Sequence, residues 1–205
     1  MEAAFARAKA LLASAGAAPA EEAVAVLAPW QNSDHAHAPF LLGAALQRLE
    51  RLPAAAAAYE RALALEPALI FARVNLVHVL LSQQQLSAAQ AHAEEAVTRE
   101  PAVAERHFLL ALVAMASGDD ARARAALQRC VVLDPRKVEA YVNLDALYLR
   151  AGDLKACRAL AALAMRQARL SGGAWALWTH ELQRPPHMLP VRASADTNRA
   201  DANGH

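Results

Sequence analysis

The chain has 205 residues, 56% of them hydrophobic but only 5% aromatic, with alanine carrying much of the apolar share. Its 21 basic and 20 acidic residues leave a formal net charge of +1, which excludes the basic face that nucleic-acid binding needs and any polybasic membrane patch. No run approaches the ~20 apolar residues of a membrane-spanning helix, and two cysteines, Cys130 and Cys157, are too few for a disulfide framework, so a reduced, cytoplasmic setting is expected.

The N-terminal stretch 1–20 places Arg7 and Lys9 before Ala10-Leu11-Leu12-Ala13-Ser14-Ala15, the order of a secretory leader. The apolar part is short, and Glu2 stands where a leader is basic, so a helix of the repeated body is expected instead. Farther along, one phrase returns: Ala62-Leu63-Ala64-Leu65-Glu66-Pro67, Ala96-Val97-Thr98-Arg99-Glu100-Pro101 and Cys130-Val131-Val132-Leu133-Asp134-Pro135, at a spacing of 34 residues. An acidic residue before a proline ends one helix and opens the turn into the next. Gly118-Asp119 and Gly152-Asp153 break the chain between helices, because glycine supplies positive φ at a helix C-terminus. Ser171-Gly172-Gly173 is a further break. Residues 174–183 read as one more helix with Trp175, Trp178 and Leu182, after which Pro185, Pro186 and Pro190 forbid helix. Residues 184–205 are polar and predicted to be disordered.

A 34-residue period with small, aromatic and proline landmarks identifies the tetratricopeptide repeat, and the chain resembles that family over residues 2–171. The clearest copy, 36–69, carries Leu42-Gly43, Leu46, Ala55, Tyr59, Ala62 and Pro67. Copies at 70–103, 104–137 and 138–171 follow, the last with Arg169 where the closing proline would stand. Counting back gives a degenerate copy at 2–35 with Phe5, Leu12, Gly16 and Ala28 in phase. The resemblance, closest to bacterial-type multi-repeat proteins, implies an all-α, right-handed superhelix of about five hairpins spanning 1–183, closed by the cap helix 174–183. Small residues such as Gly43, Ala62, Ala96 and Ala123 would let the paired helices touch. One hairpin cannot bury its own apolar face, so copies must stack.

Stacked hairpins of this family line a concave side with their first helices. The resemblance therefore assigns Phe40, Leu41, Ala44, Gln47 and Arg48 to the groove, followed by Phe71, Val74, Asn75, His78 and Leu81. The next copies add Glu105, Phe108, Leu109, Leu112 and Met115, then Glu139, Val142, Asn143, Ala146 and Leu149. Asn75 and Asn143 share one slot, and the family resemblance implies a grip on a ligand backbone there, which an amide's donor and acceptor suit. The competing reading is a bond to the neighbouring helix. Co-chaperone members bind acidic C-terminal peptides through Lys, Arg and Asn, but here those slots hold Phe40, Ala44, Glu105 and Leu109. An apolar or amphipathic segment of another protein is the expected ligand. The alternatives for Phe108, Leu109, Leu112 and Met115 are a tighter coil or a homodimer.

Reaction chemistry leaves no signature. His35, His37 and Asp34 share a turn but offer no further ligand, and no metal is expected there. His180-Glu181 continues as Leu182-Gln183-Arg184 and lacks the second histidine of a zinc-protease helix. No Walker glycine loop, dinucleotide fingerprint or nucleophile elbow occurs, so neither a cofactor nor an enzyme is expected. From Met1 to the loose tail, no catalytic domain is expected. The leading function is a non-catalytic interaction scaffold. The alternatives are a regulatory subunit of a separate methyltransferase, sulfotransferase, hydroxylase or glycosyltransferase, and a secretion or assembly chaperone.

Overall fold

The computed structural model describes residues 2–171, with side chains as far as Gln167. The cap helix expected at 174–183 and the tail expected at 184–205 lie outside the described residues. The chain divides into two compact units, one ending at Gly152 and one beginning at Asp153. In the first, helices α1 (Glu2–Ala13) and α2 (Ala17–Leu27) form a hairpin, and so do α3 (His37–Arg48) and α4 (Leu52–Leu65). The pairs α5 (Ile70–Ser82) with α6 (Leu86–Arg99) and α7 (Ala104–Ala116) with α8 (Asp120–Leu133) follow, and α9 (Val138–Arg150) packs on α8. In the second unit α10 (Leu154–Ser171) begins under an Asp153 cap, with Cys157, Leu160 and Ala164 buried along one face. No strand occurs among the described residues. This is the tetratricopeptide-type helical stack that the 34-residue period predicts.

The turns show why the pitch is constant. Gly16, Glu50, Gln84, Gly118 and Gly152 all have positive φ, and consecutive members stand one period apart. After α3, α5 and α7 the turn closes with bonds from Arg51 N to Leu46 O, Gln85 N to Leu80 O and Asp119 N to Ala114 O, each 2.9 Å. That six-to-one bond satisfies a terminal helix carbonyl. The sequence signals this turn only where glycine occupies it; Glu50 and Gln84 adopt the same left-handed backbone without that signature. Asp119 also caps α8 by accepting from Arg122 N at 3.0 Å, whereas Arg51 and Gln85 in the same slot give no side-chain cap.

The opposite ends repeat as faithfully. Glu66, Glu100 and Asp134 precede the prolines with extended φ of −137°, −129° and −130°, as the proline ring requires. Their carbonyls accept from Leu69, Val103 and Lys137 N at 3.0, 3.2 and 3.2 Å, closing proline turns of one type. Arg73 Nη2 donates to Pro67 O at 3.0 Å, and His107, one period later, meets Pro101 O through Nε2 at 2.9 Å. The first hairpin departs from this scheme. Ser33 stands in the proline slot, and a 3-10 turn over Ala28–Trp30 brings Trp30 edge-on to Phe5 at 6.3 Å.

Close approach within hairpins rests on small residues. Ala55, Ala62, Ala89, Ala93, Ala96 and Ala123 are fully buried. A Cβ added to Gly43 would lie 2.7 Å from the Tyr59 ring. Beyond pairing with their own partners, α1, α3, α5 and α7 touch one another in succession, while α2, α4, α6 and α8 have no comparable contact. The first helices therefore form the inner side of this unit's curl. No described helix is long and apolar enough to cross a membrane.

Two stability outcomes follow. Gly43→Val forces the Tyr59 ring aside and lowers stability by about 1–3 kcal/mol, read as a drop in thermal midpoint. Gln84→Gly with Gln85→Asp gives the third hairpin the turn and cap of the fourth. Relief of left-handed strain, reduced by glycine's entropy, plus a new cap raises stability by about 1–2 kcal/mol, or roughly 2–4 °C per kcal/mol.

Candidate functional site

The inner face is built from one set of slots on α3, α5, α7 and α9. In the slot of Phe40, Val74, Phe108 and Val142, the first three side chains are half-buried and Val142 is exposed. Gln47, Leu81 and Met115 share the next slot at half-burial, with Leu149 exposed. Ala44 and Leu112 are half-buried, while His78 and Ala146 between and beyond them are more exposed. Phe71 is 63% exposed at the start of α5, and Glu105 and Glu139 occupy its slot on α7 and α9. The result is a shallow apolar floor edged by acidic first turns.

Two of the residues assigned to this face are not on it. Leu41 and Leu109 are 4% and 3% exposed. Leu41 packs with Ala8 and Leu27 of the preceding hairpin, and Leu109 joins the core of Leu76, Leu80 and Val113. Their slot points into the seam between successive hairpins, so an apolar side chain there goes under rather than out. They are core residues.

Asn75 and Asn143 occupy that same slot and stay half-buried. The Asn75 amide nitrogen donates to the Tyr59 hydroxyl at 3.2 Å, and that hydroxyl donates to Gln47 Oε1 at 2.8 Å. The chain Asn75–Tyr59–Gln47 ties α5 to α4 and α4 to α3. Burial pushes the Tyr59 phenol well above its ordinary pKa, with the Asn75 bond pulling slightly back, so it stays a neutral donor. Asn75 and Gln47 are thus bound up in holding the floor. Asn143 is half-buried, and its side chain makes no hydrogen bond among the described residues.

Charge on the inner face is largely internal. Lys137, just before α9, pairs with Glu105 at 2.9 Å and places its ammonium 4.5 Å above the Phe108 ring. Cation–π attraction and the ion pair hold it over the floor together. The sequence reading missed Lys137. The available signal was its position immediately before α9, where a long side chain reaches back to the first turn of α7. At the other edge Arg48 donates to Ser14 O at 2.5 Å and Arg150 to Asp120 at 2.8 Å. His78 has its pKa lowered by desolvation, with Glu105 opposing.

Burial pushes the Cys130 thiol up to about 11, which leaves it protonated and inert at neutral pH. Among the described residues no three His, Cys, Asp or Glu side chains are grouped to hold a metal ion.

The sequence matches no protein-family model and no curated protein. Among solved structures, the fold is similar to residues 41 to the end of MamA from Desulfovibrio magneticus RS-1, at 25% identity and a TM-score of 0.68. That likeness covers 76% of this chain and 89% of that one. It is also similar to MamA of AMB-1, at 16% identity and a TM-score of 0.68, over 84% of this chain and 91% of the other. YrrB, described as a TPR protein with an unusual peptide-binding site, matches at 18% identity and a TM-score of 0.62, over 79% and 84%.

Replacing Asn75 separates structure from binding. Asn75→Ala removes one donor from the Tyr59 hydroxyl and lowers stability by about 0.5–1.5 kcal/mol. Asn143→Ala leaves the thermal midpoint within about 1 °C, since surface changes stay within ±0.5 kcal/mol; calorimetry reads both.

Proposed function

Starting from a tetratricopeptide-type stack, we propose that the chain is a non-catalytic, cytoplasmic interaction scaffold that seats an apolar or amphipathic segment of another protein on its inner face. The observation that carries this reading is the row of half-buried to exposed apolar side chains from Phe40 and Phe71 through Leu112 and Met115 to Val142. Large apolar groups left in a contiguous row at a protein surface lose free energy that only a partner recovers. The shared fold with YrrB, a protein described by its peptide-binding site, supports the same use of the scaffold. Buried cysteines at 130 and 157, neither in a disulfide, are consistent with a reducing compartment.

The ligand's apolar side chains would rest on Phe40, Phe71, Phe108, Leu112 and Met115. The Asn143 amide would bond its backbone, and Glu105, Glu139 and His78 would flank it. Leu41 and Leu109 shape this floor only from beneath, and Asn75 and Gln47 act through Tyr59. A homodimer through the same face would cover the same side chains.

A photo-crosslinking residue at position 112, on the inner face, should capture a discrete partner. The same residue at 132, 67% exposed on α8, should not. Capture from 132 alone would place the binding surface on the second helices. For a partner so identified, Leu112→Asp with Asn143→Ala should weaken binding at least roughly tenfold with the helical content unchanged. Unaltered affinity in that folded variant rejects the inner face.

A further inference from the structure

Arg73 carries the most unusual charge in the first unit. It is 8% exposed on α5. Its Nη2 donates to Pro67 O at 3.0 Å, and its Nη1 lies 3.3 Å from His92 Nδ1 on α6. Its Nε has no hydrogen-bond partner, and no carboxylate of the described residues lies within ion-pair distance of it. One side chain thus ties together α5, α6 and the turn ahead of α5.

A guanidinium has only donors. Its contact with His92 exists only while Nδ1 is an acceptor, with the ring proton on Nε2. Protonating His92, itself half-buried, would replace that acceptor by a second cation at the same distance. The charged groups around His92 are Arg73 from α5, Glu60 from α4 and Glu95 from α6. Burial and Arg73 lower the His92 pKa, and the two glutamates oppose without reversing the shift. The arrangement is peculiar to this hairpin. Ala58 and Ala126 fill the His92 slot one period before and after, and His107 in the Arg73 slot bonds only the Pro101 carbonyl.

We propose that the Arg73–His92 contact makes the third hairpin an acid-sensitive layer, held closed while His92 is neutral and loosened when it takes a proton. Phe71 and Asn75 flank Arg73 on α5, so loosening at Arg73 carries directly to the floor of the inner face. The direction follows from linkage. An unfolded histidine titrates near pH 6.5, and His92 in the fold titrates lower. The unfolded chain therefore takes the proton first. The contribution is whole above about pH 6.5 and is lost as pH falls toward the folded pKa.

The test is the thermal midpoint of the full chain between about pH 7.5 and pH 5, above the range where ordinary carboxylates titrate. Wild type should lose thermal midpoint as pH falls across this window. His92→Gln keeps an acceptor for Arg73 but cannot titrate, and its midpoint should stay nearly flat. His78→Gln removes the other histidine with a lowered pKa and should keep most of the loss. A wild-type midpoint that does not move, or a His92→Gln slope equal to wild type, overturns the proposal. NMR titration of the wild-type His92 ring decides the matter independently of whether any variant folds. A midpoint below that of free histidine is expected, and one at or above it refutes the device.

Discussion

The whole stack depends on how closely the second helix of each hairpin can approach the first. A layer two helices thick has little depth in which to bury large side chains, so its contacts must be made with alanine and glycine. Gly43 against the Tyr59 ring, and the fully buried Ala55, Ala62, Ala89, Ala96 and Ala123, set that distance. Thin layers bury little apolar area apiece, and each gains its stability from its neighbours rather than from itself. Matching turns at both ends of the second, third and fourth hairpins then keep the pitch of the layers constant. Five left-handed residues one period apart, and three proline turns of one type, do this through backbone geometry rather than through side-chain identity.

The same thinness decides what becomes of each slot on the first helices. A slot aimed along the stack meets the next layer, and one aimed across it meets open space. The slot of residues 41, 75, 109 and 143 lies on the margin between these. Leucine there sinks into the seam, and asparagine stays half-buried, Asn75 with its amide on Tyr59. Phe40, Phe108, Leu112 and Met115 lie farther toward the open side, and they cannot be buried by the layers that carry them. Lys137, pinned by Glu105, covers part of Phe108 and shows that a cation can be seated on this floor beside apolar groups.

The period and the identity of the fold were legible because 34-residue spacing is written in prolines and small residues that no other structure needs at that pitch. The turns at Glu50 and Gln84 were not, since neither residue advertises positive φ; their conformation is imposed by the helices on either side. Membership of the inner face was read from slot position alone, which is compatible with an exposed Phe71 and a half-buried Met115. It fails at Leu41 and Leu109, because slot position does not say how far a side chain leans toward the preceding hairpin. It fails differently at Asn75, where the competing bond depends on Tyr59, sixteen residues earlier on another helix. The Arg73–His92 contact also had no period to reveal it, being made by two residues that the other hairpins lack.

An inner face whose apolar side chains stay partly uncovered by the described residues, with the proposed Arg73–His92 latch behind it, fits a scaffold that holds another protein and whose floor is adjustable. Hydroxyl-radical footprinting of the chain with and without its partner tests the central claim most directly, because it reads side-chain exposure on both faces in one experiment. The account predicts protection of Phe71, Phe108 and Met115, with Leu65 on α4 and Val132 on α8 unchanged. Protection of Leu65 and Val132 with the three inner residues still reactive would contradict it.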